Sequence, residues 1–290
     1  MNDLPDILEP SDPVLLASGY VFTEGPLWHP DGYLIFADVR DDKLFRLVPG
    51  QKPDLLRVTD NGNGTCFDLQ GRIVQCEGLA RRVTRWDMKT GQVDIIAERF
   101  EGNRFNRPND VVCRSDGSIF FTDPDKRVPI REREVETAAI YRIAPDGSIH
   151  LVVSVEYPNG LAFSPDEKRL YVANTRFLKY MHEVEIDAAG SANSHRFFAD
   201  MSHDDTPGAP DGVKVDAAGR VMCTGPGGIW VFDPAGKHIG TIKLPKPAVN
   251  FAFGGDDLRT LFVCAHDSVF SVRTKVPGLP QPYYAHHRRG

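Results

Sequence analysis

The chain has 290 residues, 41% hydrophobic and 26% charged, an ordinary balance for a globular protein. Its 34 Lys and Arg against 40 Asp and Glu leave a formal net charge of −6, which argues against nucleic acid or an anionic membrane as partner, since either would call for a basic patch. Five cysteines (66, 76, 113, 223, 264) without CxxC spacing argue against a disulfide scaffold or zinc ribbon, and no apolar run is long enough to span a bilayer.

The 26 Gly and 22 Pro are spread along the chain, as turn punctuation would be. The start, MNDLPDILEPSDP, is acidic and Pro-broken, unlike a secretory leader, so a cytoplasmic location is expected. Residues 14–22 (VLLASGYVF) follow as a lone β-like run. Six similar segments come next: EGPLWHPDGYLIFAD from Glu24, NGTCFDLQGRIVQCE from Asn63, NDVVCRSDGSIFFTD from Asn109, NGLAFSPDEKRLYVAN from Asn159, DGVKVDAAGRVMCTG from Asp211 and NFAFGGDDLRTLFVCA from Asn250. In each, a polar residue opens one apolar run, and a second run opens 10 or 11 residues later. The repeat period is 39 to 52 residues.

Each segment reads as a hairpin, its turn carrying the Gly, Asp or Pro that tight turns require. A third strand follows in KLFRLV, RVTRWDM, AIYRIAPDG, HEVEIDAAG, GIWVFDPAG and SVFSVRT. DLLRVT, QVDIIAERF, IHLVVSV, HRFFAD and HIGTIKL supply a fourth. Four short strands per repeat predict a six-bladed β-propeller of four-stranded antiparallel blades, one domain over 1–290. The run 14–22 should complete the last blade and hide its edge. The charged stretch 126–137 reads as a surface loop in the third blade, with a short helix as the alternative. The cysteines read as small core residues, His29, His150, His195, His203 and His238 as surface or turn residues, and the C-terminal YYAHHRRG as a frayed tail.

In a propeller the first strand of each blade lines the axis, so Glu24, Asn63, Asn109, Asn159, Asp211 and Asn250 should form one ring. All are carboxylates or amides, an oxygen donor set suited to a hard divalent cation, Ca²⁺ first, with Zn²⁺, Mn²⁺ or Mg²⁺ as alternatives. Such an ion would relieve the repulsion between Glu24 and Asp211. The competing reading, that Asn-Gly and Asp-Gly are only turn formers, does not account for Glu24 in the same register. The antiparallel second strands should end in a second ring of Asp38, Glu77, Asp123, Asn174, Gly225 and Ala265, with His266 adjacent. That ring would border substrate at the mouth, or merely cap strand ends.

The motifs TEGPLWHPDG, NRPNDVVCRSDGSIFFTDP, YPNGLAFSPDEKRLYVAN, PDGVKVDAAGRV and GPGGIWVFDPAGKHIGTI resemble the gluconolactonase/regucalcin (senescence marker protein) family over about residues 20–275. The resemblance implies a six-bladed propeller with one axial divalent metal that hydrolyses sugar lactones. It implies metal ligation by Glu24, Asn109, Asn159 and Asp211, with Asp211 also the catalytic base, and substrate contact through Arg107 and Asn109. Asn63, Glu77 and Asp123 would orient the substrate's hydroxyls or carboxylate. Two segments depart from the family: Gly78 stands where a His is usual, and TDPDKR replaces a TDPPYG-like run. The expected reaction is lactone opening, with the cation polarising the carbonyl and the water either deprotonated by Asp211 or activated by the cation; direct attack by the Asp211 carboxylate is the alternative. The alternatives are a metal-dependent phosphotriesterase and a non-catalytic calcium-binding propeller. The acid- and amide-rich second ring favours polyhydroxylated lactones over bulky apolar esters. A small-molecule lactone is thus the expected partner of a monomer or small homo-oligomer.

Overall fold

The computed structural model describes residues 4–176 and 178–287. Six four-stranded antiparallel sheets follow one another around an axis. Blade 1 comprises Thr23–His29, Tyr33–Asp38, Lys43–Leu47 and Asp54–Val58. Blade 2 comprises Gly62–Phe67, Ile73–Glu77, Arg82–Trp86 and Val93–Ala97. Blade 3 comprises Val111–Cys113, Ile119–Asp123, Ala139–Ile143 and Ile149–Ser154. Blade 4 comprises Pro158–Phe163, Arg169–Asn174, Tyr180–Ile186 and Ala192–Asp200, and blade 5 Val213–Val215, Val221–Gly225, Gly228–Phe232 and His238–Lys243. Blade 6 takes Asn250–Gly254, Thr260–Ala265 and Ser268–Arg273 from the end of the chain and Val14–Ser18 from its beginning. The predicted propeller is borne out, and so is its closure by the early strand, which ties the two ends of the chain into one sheet and removes an open edge.

The inner two strands of each blade are buried and largely apolar; the outer strands alternate or face solvent. Apolar clusters fill the gaps between neighbouring blades, for example Cys66, Val74 and Cys76 of blade 2 against Phe121, Ala139 and Tyr141 of blade 3. All five cysteines are buried and unpaired, as small core residues should be. Hydroxyls lace adjacent blades near the axis. Thr65 donates to the Gly25 carbonyl at 2.7 Å, Thr122 to that of Asn159 at 2.8 Å, and Thr224 to that of Val249 at 3.1 Å.

Stretch 126–137 lies between the second and third strands of blade 3 and overlaps two short 3₁₀ turns, Asp125–Arg127 and Ile130–Glu132. Two expectations need correction. The YYAHH part of the C-terminal stretch is not frayed: Pro282–His287 is a short helix, Tyr284 is buried, and Tyr283 lies against Gly71. Its aromatic rings pack on Phe67, and the Tyr284 hydroxyl donates to the Trp28 carbonyl, so apolar area and one hydrogen bond hold it. The final RRG lies outside the described residues. His29 is not a surface residue but a buried one, stacked on Tyr33 at 4.4 Å and held neutral, its pKa lowered by burial to about 4.

Candidate functional site

The six aligned polar residues do start the six inner strands, and local irregularity aims them at the axis. In blades 1, 2 and 4 the pairing of the first two strands shifts register at Glu24/Leu27, Gly62/Thr65 and Pro158/Leu161. Glu24, Asn63 and Asn159 sit at those bulges, which turn side chains out of the regular alternation. In blades 3 and 5 the ring residue precedes the paired strand. There Asn109 N donates to the Thr122 carbonyl at 2.9 Å, and Asp211 N to the Thr224 hydroxyl at 3.0 Å.

The glycine after four of these residues is required by packing. A Cβ on Gly25 would lie 2.2 Å from the Asn63 carbonyl oxygen, and one on Gly160 would lie 2.0 Å from that of Asp211. These Asn-Gly and Asp-Gly pairs therefore let neighbouring inner strands touch at the axis, rather than forming turns. Blade 3 breaks the pattern: the glycine is replaced by Asp110, whose carboxylate lies against Gly64. Asp110 is a buried axial acid that the sequence reading passed over. Its signal was the one repeat reading Asn-Asp where four others read Glu-Gly, Asn-Gly or Asp-Gly.

The ring is thus Glu24, Asn63, Asn109, Asn159 and Asn250, all buried, with Asp211 half-buried. Three carboxyl groups share this low-dielectric space. Burial, then the charge of Asp110, pushes Glu24 up to about 7, against donation from Gly25 N, Asn250 Nδ2 and the pull of Lys214. Burial and the charge of Glu24 raise Asp211 well above the usual carboxylate range, and burial raises Asp110. Like charges held together out of water disfavour ionisation.

The amides divide into those already engaged and those left open. Asn250 donates to Glu24 Oε2 at 2.9 Å while its oxygen accepts from Phe251 N at 2.8 Å. Asn159 donates from Nδ2 to Thr175 Oγ1 at 2.7 Å and also bonds Asp211, yet its buried Oδ1 accepts nothing. The buried Oδ1 of Asn63 and Nδ2 of Asn109 are likewise unpartnered. An orphaned buried carbonyl oxygen is costly unless something positive meets it. Two such oxygens beside Glu24 and Asp211 fit a hard cation. Among the described residues no three His, Cys, Asp or Glu side chains cluster as a metal site, which accords with a ring in which four of the six residues are amides.

The second ring is placed as expected at the ends of the second strands: Asp38 pairs across from Thr23, Glu77 from Gly62 and Asn174 from Pro158. Its oxygens are engaged. Asp38 accepts Val21 N and Phe22 N, both at 2.8 Å, and Asp123 accepts Asn106 N at 2.7 Å and Arg107 N at 2.6 Å. Asn174 accepts Tyr157 N at 2.9 Å. Each therefore fastens the segment leading into its own blade's inner strand. Glu77, fully buried, holds the guanidiniums of Arg57 and Arg82, the latter at 2.7 Å.

Arg107 stands at the mouth, NH2 bonded to Asn61 Oδ1 at 2.7 Å and Nε unpartnered. Its side chain lies over Gly78: a Cβ there would sit 3.0 Å from Arg107 Cγ. The departure at Gly78 thus makes room for this guanidinium. The 3₁₀ turn at Asp125–Arg127, which carries the other departure, brings Arg127 to the Tyr157 hydroxyl at 3.0 Å and close enough to act on Asp211 through its charge. Sequence reasoning missed Arg127, because nothing local marks a loop arginine as returning to the axis.

With this geometry, comparisons with known proteins are decisive at the family level. Residues 22–267 match the SMP-30/Gluconolactonase/LRE-like region. The chain belongs to that family. A gluconolactonase of Zymomonas mobilis is 29% identical over 95% of this chain and 85% of its own length. The pentonolactonase XacC of Haloferax volcanii is 29% identical over 83% and 80%. Among solved structures, a gluconolactonase from Xanthomonas campestris superposes with a TM-score of 0.86 at 31% identity, covering 94% of this chain and 93% of that one. Among the described residues no helix is long and apolar enough to cross a membrane.

Proposed function

We propose that this family member, a lactonase, opens a sugar lactone in the axial channel, with Glu24, Asn109, Asn159 and Asp211 holding a divalent cation, Ca²⁺ first. The observation that carries this reading is the unpartnered buried Oδ1 of Asn159, whose amide bonds Asp211, next to two carboxyls whose charges oppose each other. The named lactonases among its relatives support the substrate class. When bound, the cation supplies a Lewis acid to the lactone carbonyl.

The chain's own groups do the rest. Asp211, the less buried of the two ring carboxylates, takes a proton from the attacking water. The water oxygen bonds to the carbonyl carbon, the ring C–O bond breaks, and the departing oxygen recovers the proton from Asp211. The Asn159 amide, fixed by Thr175, holds Asp211 in place. Arg107 and the amides of Asn63 and Asn109 orient the substrate's oxygens. Asp123 sets Arg107 by gripping its backbone N–H, and Glu77 braces the adjoining rim through Arg57 and Arg82.

The test is proton release at constant pH from a panel of five- and six-membered sugar lactones, with and without chelator. Turnover that chelator abolishes and a divalent cation restores is expected. No turnover across the panel overturns the reading, and turnover indifferent to chelator overturns its metal half.

A further inference from the structure

The guanidiniums around the mouth fall into two groups. Arg57 and Arg82 are matched by Glu77, Arg82 also by Asp60 at 2.9 Å, and Arg133 by Asp125 at 2.6 Å. Arg107, Arg127 and Arg176 have no carboxylate partner among the described residues. Instead they crowd one aromatic ring. Arg127 donates to the Tyr157 hydroxyl and sits 6.0 Å from the ring centroid, Arg176 sits 5.3 Å from it, and Arg107 is near enough to feel the charges of both Tyr157 and Arg127. Tyr157 itself is buried, two residues before Asn159, so the three cations stand beside the channel.

Gathering three guanidiniums with no carboxylate ion-paired to them is unfavourable in a protein of net charge −6, where acids are plentiful; Asp211, whose charge Arg127 also feels, belongs to the axial ring. Arg107 spends one N–H on Asn61 and Arg127 one on Tyr157, and the guanidinium N–H groups that remain are donors that planar or tetrahedral oxyanions select. The carboxylate released by lactone opening forms at the axial ring, so it leaves this cluster unmatched. Neutral hydroxyls would need donors and acceptors in equal measure, and a guanidinium offers only donors.

We propose that the lactone taken by this protein carries a second, terminal oxyanion group, seated between Arg107, Arg127 and Arg176. The proposal rests on the lactonase reading and narrows its substrate class. Carboxylate, sulfonate and phosphate share the chemistry required, and the substrates chosen distinguish them.

The experiment compares kcat/KM for a neutral sugar lactone with that for counterparts ending in a carboxylate, a sulfonate or a phosphate. Wild-type protein, Arg127→Gln and Arg176→Gln are measured at low and high salt. In the wild type the best anionic lactone should exceed the neutral one by about tenfold or more at low salt, and the advantage should shrink as salt screens it. Each variant should bring the anionic-to-neutral ratio down toward one, with a melting temperature confirming that it folds. A ratio at or below one in the wild type, or one the variants leave unmoved, overturns the anion subsite and leaves the lactonase reading intact. No turnover of any lactone overturns that reading, and this one with it.

Discussion

Two tiers of acid and amide side chains stand around the channel, repeated in the same register of successive blades. The strand-end tier, Asp38, Asp123 and Asn174, spends its oxygens on backbone N–H groups of the segments that enter the axis. Glu77 spends both of its oxygens on arginines. The axial tier leaves oxygens of Asn63 and Asn159 with no donor, and burial raises the proton affinities of Glu24, Asp110 and Asp211, with neighbouring carboxylate charge adding to it at Glu24 and Asp211; burial raises Asp123 of the strand-end tier to about 7 as well. Residue type is the same in both tiers; saturation differs. A saturated carboxylate is part of the scaffold, and an unsaturated one is available to a ligand.

Four measurements can break or sharpen that contrast. The largest effect belongs to the axial tier. Asp211→Asn should cut lactone turnover by about 10²–10⁴-fold, as loss of a general base does. Its melting temperature should hold or rise, because one of three opposed carboxyls is gone. Turnover within tenfold of the parent would remove Asp211 from the chemistry.

The strand-end tier should respond the other way. Asp38→Ala strands the N–H groups of Val21 and Phe22, and should cost about 1–3 kcal/mol in urea unfolding. Its kcat/KM should stay near the parent's. A stable but inactive Asp38→Ala would move that ring from scaffold to site.

Third comes pH. Glu24 is raised from an ordinary 4.5 to about 7, so the folded chain binds this proton more readily than the unfolded chain does. Metal-free protein should therefore lose stability as pH rises from 4.5 to about 7, by about 2–4 °C in melting temperature for each kcal/mol lost. Divalent cation should restore the loss at the upper end of that range. A melting temperature that climbs across it in chelator would contradict the crowding of carboxyls.

The smallest effect is expected at Gly78. In Gly78→Ala a Cβ would press on Arg107 Cγ at 3.0 Å, which the flexible side chain can absorb by moving a few tenths of an ångström. KM should rise by about two- to threefold with kcat held, since displacing a positioning contact weakens binding more than chemistry. An unchanged KM would show that Arg107 does not touch substrate.

Much of this was legible in the residues. Hairpins recurring every 39 to 52 residues specify blades, because each repeat buries its apolar strands only against its neighbours. The register of Glu24 and Asp211 within those repeats specifies the axial ring, since antiparallel pairing with a fixed offset places equivalent residues equivalently. The early strand's role in blade 6 followed from the incomplete last repeat. The tail was misread because YYAHH looks polar in sequence, while its tyrosine rings found Phe67 at 5.1 and 6.4 Å.

What only the tertiary structure decided is which polar atoms found partners. Whether Asp38 caps a loop and Asn159 keeps an oxygen free depends on groups 16 or 17 positions away and on neighbouring blades. The same holds for Asp110 beneath the ring and for Arg107, Arg127 and Arg176 around Tyr157, brought together from three separate loops. Repeat patterns report the local backbone, which short-range sequence dictates. Charge balance and hydrogen-bond saturation are sums over neighbours in space, and no periodicity along the chain records them.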